Sequence, residues 1–185
     1  MTIVIDSVVL QRIELFDNLT NEDMRQLLPA CDELTVCAGQ TILEAGTAER
    51  ALYVVLEGTA EVDLEPPRAH ERIVAELTPG SVFGESSFFH ASPHSATVKA
   101  RTDTRLLRLN RQPFDNLLQG DNLAALRIAA NAANILAARL QQADRLIVEL
   151  LEQIQDEKTH AAIKSFRNSM SHSFSSTIRP GMPGG

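Results

Sequence analysis

Only two cysteines, Cys31 and Cys37, occur in this 185-residue chain. That is too few for a four-cysteine zinc site or iron–sulfur cluster. Whether the two pair is open on the sequence, but reduced core thiols are expected in a chain with no secretory leader in view. Met1 to Leu10 lacks a basic start and is broken by Asp6, so it makes a poor signal peptide. Nor is there a run of about eighteen apolar residues, so no membrane span is expected. These absences together predict a cytoplasmic protein. Positive charge is also scarce. The net charge is −7, and residues 158–185 hold Lys158, Lys164, Arg167 and Arg179 with no acid, so the tail is +4 and the rest is −11. A body this acidic does not attract nucleic acid by its field, and no nucleic-acid partner is expected. No nucleophile–base–orienter set and no metal-ligand spacing stands out. An enzyme, a metal site and a cofactor are therefore not expected.

What the chain does have is a change of period. Val8, Val9, Ile13 and Phe16 recur at helical spacing over Asp6–Phe16. Thr20 then reads as an N-cap with Asp23 near N3. Met24, Leu27 and Leu28 would face inward, and Pro29 would kink or end that helix. From Glu33 the period drops to two: Leu34/Val36, Ile42, Leu52/Val54/Leu56, Ala60/Val62/Leu64, Ile73/Ala75/Leu77 and Leu106/Leu107/Leu109 read as short strands. Gly39, Gly46, Gly58 and Gly80 sit between them as turn residues. Pro66 to His70 reads as a solvated connection. About eight strands at this spacing predict a small antiparallel barrel or jelly roll.

One stretch organises the rest. Residues 80–100 place Gly84 before Glu85, a single helical turn over Ser86–Ala91, a stop at Pro93, and a strand at Thr97–Ala100. A helical turn between strands, with free N–H groups facing a concavity, suits an anion. Phe83-Gly84-Glu85 followed by Pro93-x-Ser95-Ala96-Thr97-Val98-x-Ala100 resembles the phosphate-binding cassette of cyclic-nucleotide-binding domains. Ala38-Gly39-Gln40, Glu44-Ala45-Gly46, Leu52 to Gly58 and the entry Leu15 to Thr20 resemble the same family, so the likeness runs from residue 15 to about 140. It implies a mainly β fold with flanking helices: a cyclic-nucleotide-binding β-roll, or double-stranded β-helix, of catabolite-activator type, followed by a long C-terminal dimerisation helix. It implies a ligand site at Gly84, Glu85, Ser86, Ser87, His94, Ser95 and Ala96, with Glu85 on a ribose 2′-hydroxyl.

The chain departs from the family in one large respect. The family's Arg, which pairs with the cyclic phosphate, falls nine residues after the Glu, and here that position is His94. An imidazole lacks the fixed, always-charged planar fork of a guanidinium. Losing such a pair costs about 2–5 kcal/mol, a factor of roughly 30 to several thousand in affinity. Ser86 stands where the family has an apolar residue, and Ala143-Asp144 where the activators have the polar pair that contacts the purine. Haem, which a minority of the family binds, has no local motif.

Asn110-Arg111 to Gln119 reads as a short helix stopped by Gly120, and Asp121 as the cap of a long one reaching about Asp156. Leu126, Ala129, Ala133, Leu136, Leu140, Ala143, Ile147, Leu150 and Ile154 form a heptad seam, with Arg139 at g and Asp144 at the next e. A parallel homodimer follows, with Leu126, Ala133, Leu136, Leu140, Ile147, Leu150 and Ile154 at its interface. Ile128, Ile135, Leu146 and Leu151 lie on other faces, free to pack on the chain's own β-roll. Residues 158–185, serine-rich and ending in Pro and Gly, read as a disordered basic tail. Ile163, Phe166, Met170 and Phe174 recur in it at helical spacing, so a protein partner could dock there. The resulting division is 1–120 for the roll with its N-terminal helices, 121–157 for the interface helix and 158–185 for the tail, with no room for the activators' DNA-reading domain. Two functions compete. One is a non-enzymatic regulatory module that senses a cyclic nucleotide or related small anion and signals through the C-terminal helix. The other is a degenerate, ligand-independent dimeric adaptor that docks a partner through its tail.

Overall fold

Residues 31–110 form eight strands: β1 (Cys31–Val36), β2 (Thr41–Leu43), β3 (Ala51–Glu57), β4 (Ala60–Leu64), β5 (Ile73–Leu77), β6 (Val82–Phe83), β7 (Thr97–Ala100) and β8 (Thr104–Asn110). The helices are α1 (Asn21–Leu27), α2 (Glu85–Phe89), α3 (Arg111–Gln119) and α4 (Leu123–Gln153). The computed structural model describes residues 10–64 and 73–153. Val8, Val9, the Pro66–His70 connection, Ile154 and the 158–185 tail lie outside the described residues. The chain has two compact units, 1–137 and 138–185.

The strands pair antiparallel in two four-stranded sheets, ordered β1-β8-β3-β6 and β2-β7-β4-β5. The first sheet is covered on both faces, which is why β3 is a continuous apolar run rather than an alternating one. Ala51, Tyr53 and Val55 point into the roll with Leu43, Ala60, Leu77, Phe83, Val98 and Leu106. Leu52 and Val54, the residues between, join Val82, Leu107 and Leu109 against the helices. Gly58 turns β3 into β4 with φ +78°, and a Cβ there would lie 2.2 Å from the Asp103 carbonyl oxygen. No side chain fits that position.

The N-terminal segment differs from expectation. Its described part opens with Leu10 in a helical position and then runs as tight turns with a 3₁₀ piece at Glu14–Phe16. Ile13 N–H donates to Leu10 O, Phe16 N–H to Ile13 O and Leu19 N–H to Phe16 O, at 3.0, 2.8 and 3.2 Å. Leu10, Ile13, Phe16 and Leu19 are all buried. Their spacing is three, the period of the 3₁₀ form, not 3.6.

Helix α1 starts as expected. Thr20 Oγ1 accepts from Asp23 N–H at 3.1 Å, and Asp23 Oδ2 accepts from Thr20 N–H at 2.7 Å. Pro29 does end the α-helix, the chain continuing as a 3₁₀ turn over Leu28–Ala30. The Thr20 backbone bond, then its hydroxyl and the neighbouring Arg127 guanidinium, hold the Asp23 carboxyl below its ordinary value. A depressed carboxylate stabilises the fold above the unfolded value of about 3.9 and loses that contribution as pH falls through the folded value. Asp23→Ala is expected to cost about 1–2 kcal/mol at pH 7. The cost should shrink on acidification below about pH 4, read by urea unfolding at both pH values.

The start of α4 is shifted from its expected cap. Asp121 takes the left-handed conformation, φ +52°. Asn122 is the cap, its Oδ1 accepting from Ala125 N–H at 3.1 Å. Asp121 closes the turn after α3, so its carboxylate is not available as a cap. Asn131 Nδ2 donates to the carbonyls of Leu15 and Asp17, at 3.0 and 2.9 Å. Ala124, Ala125, Ile128, Ala132 and Ile135 are buried in the first unit's core. Leu123–Leu151 is long and apolar enough to cross a membrane, an 18-residue window within it having a mean hydropathy of 1.3, and 28% of that window is buried in protein.

Along the seam, Leu126 is 50% exposed, Leu140 63%, Ile147 37% and Leu150 59%. Ala133 is exposed and Leu136 half-buried. Leu146 is 51% exposed, while Ile128 and Ile135 are buried. Both cysteines are free: Cys31 is buried and Cys37 exposed. Burial pushes the Cys31 thiol up to about 12, with the Asp32 charge adding to it. It is an inert core thiol.

Candidate ligand-binding site

The cassette begins where β6 ends. Gly84 caps α2 in the left-handed region, φ +82° and ψ 0°. A Cβ there would sit 2.6 Å from Ala51 O and 3.2 Å from Tyr53 Cδ2. The backbone of β3 therefore packs against the cassette through the space that glycine leaves. Tyr53 and Phe83 form the floor, stacked with centroids 5.0 Å apart and planes 9° apart. Burial, then the charge of Glu49, pushes the Tyr53 phenol up to about 12, so it stays a neutral hydroxyl. Gly84→Ala forces a residue with a Cβ into strained backbone against a carbonyl. A loss of about 1–3 kcal/mol is expected, read as a lower urea midpoint.

Helix α2 sorts its side chains by exposure. Glu85 and Ser87 are buried, at 8% and 2% exposed, as is Phe88. Ser86 faces solvent. The turn of the helix puts the Ser86 and Ser87 side chains in different surroundings. His94 follows in the loop after α2. Its backbone bonds both ways to the turn after β2: Gly46 N–H donates to His94 O and His94 N–H to Thr47 O, each at 2.9 Å. Its imidazole is buried, 7% exposed. Ser95 is exposed and Ala96 half-buried.

The structure brings Ser87 and His94 together, which the sequence did not foretell. Ser87 Oγ lies 2.8 Å from His94 Nδ1, both buried. His94 Nε2 is buried with no hydrogen-bond partner among the described residues. An unpaired buried polar atom of this kind costs about 1–3 kcal/mol. Leu34, Val36, Ile42 and Val62 are partly buried against the interior cluster of the roll. The cassette thus holds one buried carboxylate, Glu85, and one buried imidazole oriented by Ser87. Among the described residues no group of three His, Cys, Asp or Glu could hold a metal ion.

The sequence reading also missed two arginines behind the cassette. Arg50 Nη2 donates to Phe88 O at 2.8 Å and Arg111 Nη1 to the same oxygen at 3.0 Å. No local pattern marks them, because the partners lie 38 and 23 residues away.

Comparison with known proteins gives four findings. The family model for the cyclic nucleotide-binding domain matches residues 33–121. The cyclic AMP receptor protein of Thermus thermophilus is 32% identical over 158 residues, 84% of this chain and 71% of that protein. The cAMP-dependent protein kinase regulatory subunit of Aspergillus fumigatus is 32% identical over 112 residues, 59% of this chain and 26% of that protein. Among solved structures, that of the Thermus thermophilus catabolite activator protein superposes with a TM-score of 0.66 at 31% identity, covering 75% of this chain and 63% of that one.

Proposed function

Because this chain belongs to the cyclic nucleotide-binding domain family, we propose that it is a cytoplasmic, non-enzymatic regulatory module. Its β-roll takes a cyclic nucleotide or related small anion, and α4 carries the signal. Glu85 takes a ribose hydroxyl. Gly84, Ser87 and His94 surround the phosphate, and Ser86, Ser95 and Ala96 contribute backbone. The single observation that carries this reading is the buried, unpartnered Nε2 of His94 beside Ser87. If the Ser87 hydroxyl donates to Nδ1, the neutral ring keeps its proton on Nε2. That N–H then donates to one phosphate oxygen, where the family's Arg would offer two donors and a full charge. Binding of cyclic AMP or cyclic GMP is expected, weaker than an arginine-equipped roll allows. The exposed seam of α4 supports a homodimer as the signalling form, with residues 121–157 as the interface helix and 158–185 as a separate tail.

The adaptor reading has one observation of its own. Ser87 satisfies half of the His94 ring from within the protein, which a ligand-independent roll also needs. In that reading the dimer docks a partner through residues 158–185. Calorimetry of the full chain against cyclic AMP, cyclic GMP and cyclic dinucleotides separates the two. Saturable heat at micromolar to millimolar concentration supports the sensor. No heat with any of them at about 1 mM, a ceiling of roughly −4 kcal/mol, leaves the adaptor.

A further inference from the structure

Helix α2 is gripped at the end opposite Gly84. Its last carbonyls, which a helix cannot satisfy itself, go to two guanidinium groups. Arg50, at the entrance to β3, gives Nη2 to Phe88 O at 2.8 Å and Nε to Ser87 O at 3.3 Å. Arg111, the first residue of α3, gives Nη1 to Phe88 O at 3.0 Å. The other edge of the Arg111 fork holds its own helix, with Nη2 2.6 Å from Asp115 Oδ1. The Arg111 guanidinium carbon also lies 5.3, 6.0 and 5.8 Å from the ring centroids of Phe88, Phe89 and Phe114. Finally, Arg111 N–H donates to Arg50 O at 3.1 Å, tying the two arginines through their backbones. Cationic donors on a carbonyl make bonds roughly twice as strong as neutral ones, and a flat fork holds two acceptors in a fixed geometry that a flexible ammonium does not impose.

We propose that Arg50 and Arg111 are positioning residues that make the cassette helix α2 and the exit helix α3 respond as one piece. A change at the ligand-facing end of α2 then reaches the segment leading into α4. The path runs from His94 through Ser87 to the Ser87 and Phe88 carbonyls, then through Arg111 to Asp115. Its ligand arm rests on the sensor reading, while the coupling itself does not.

Hydrogen exchange of the full chain tests it by a double-mutant cycle. Ser87→Ala breaks the bond to His94 and disturbs α2 from the ligand side. With Arg111 present, that substitution is expected to speed exchange of the Asp115–Gln119 amides at least about fivefold. In an Arg111→Lys background, which keeps the charge and loses the fork, the same substitution should change them by less than about twofold. If Arg111→Lys fails to unfold cooperatively, Asp115→Asn is the second background, removing the charged partner of the Arg111 fork on α3 while leaving its bond to Phe88 O, and it should reduce the response. An equal response in all backgrounds, or none in any, overturns the proposal. Cyclic AMP at millimolar concentration serves as a second perturbation. If it leaves α2 exchange unchanged while Ser87→Ala shows the coupling, the sensor reading fails and the clasp stands.

Discussion

Leu140→Glu and Ile147→Glu are each expected to turn the proposed dimer into monomers. Both residues sit at the a positions of the α4 seam, and both are exposed, at 63% and 37%. In a parallel pair the two copies of an a residue meet across the axis. A glutamate there places two like charges side by side where apolar surface was to be buried. Burying unpaired carboxylates costs several kcal/mol, and each 1.4 kcal/mol weakens association about tenfold. A loss of at least about a thousandfold is expected. The core of the first unit is not touched by either change, so the monomers should keep their circular dichroism. Light scattering reads the outcome, and a monomer for the unsubstituted chain would sink the dimer.

His94→Arg is expected to raise affinity for cyclic AMP or cyclic GMP by at least a factor of ten, about 1.4 kcal/mol. The substitution restores a fixed charge with a bidentate fork at the position where the family carries one. It removes the bond to Ser87, so the gain is the difference between a new ionic contact and a lost neutral one. Glu85→Gln should weaken both the parent and the His94→Arg protein, because the ribose contact is independent of residue 94. If the arginine variant binds neither nucleotide at millimolar concentration, the roll does not accept a cyclic phosphate, and the adaptor reading takes over.

Much of this fold is legible in the chain. Alternation with period two over Leu34–Val36, Ala60–Val62 and Leu106–Leu109 marks strands because each pleat has two unlike faces. Gly58 and Gly84 mark turns because no Cβ fits where they sit. Thr20 and Asp23 mark a helix start because both halves of a capping box are local. The failures have a common cause. The N-terminal segment is spaced by three, and its apolar residues fit an α-helix almost as well until hydrogen bonds decide. Asp121 and Asn122 are both good caps, and the choice depends on how α3 ends. The Ser87–His94 bond and the two arginines on Phe88 O join residues that no short window contains. Glu85 could be placed from sequence by resemblance, whereas the orientation of His94 required the fold.

In the sensor reading, His94 offers Nε2 to a ligand phosphate while Ser87 holds Nδ1. Nitrogen-15 NMR of the His94 ring, with and without cyclic AMP, tests it most directly. In the free protein the ring is expected to carry a proton at Nε2, with Nδ1 accepting from Ser87. On saturation the Nε2 resonance should move and its proton should become protected from exchange, and both changes should vanish in Glu85→Gln at the same nucleotide concentration. A ring protonated at Nδ1, or an Nε2 signal unmoved by cyclic AMP and cyclic GMP at millimolar concentration, would contradict it.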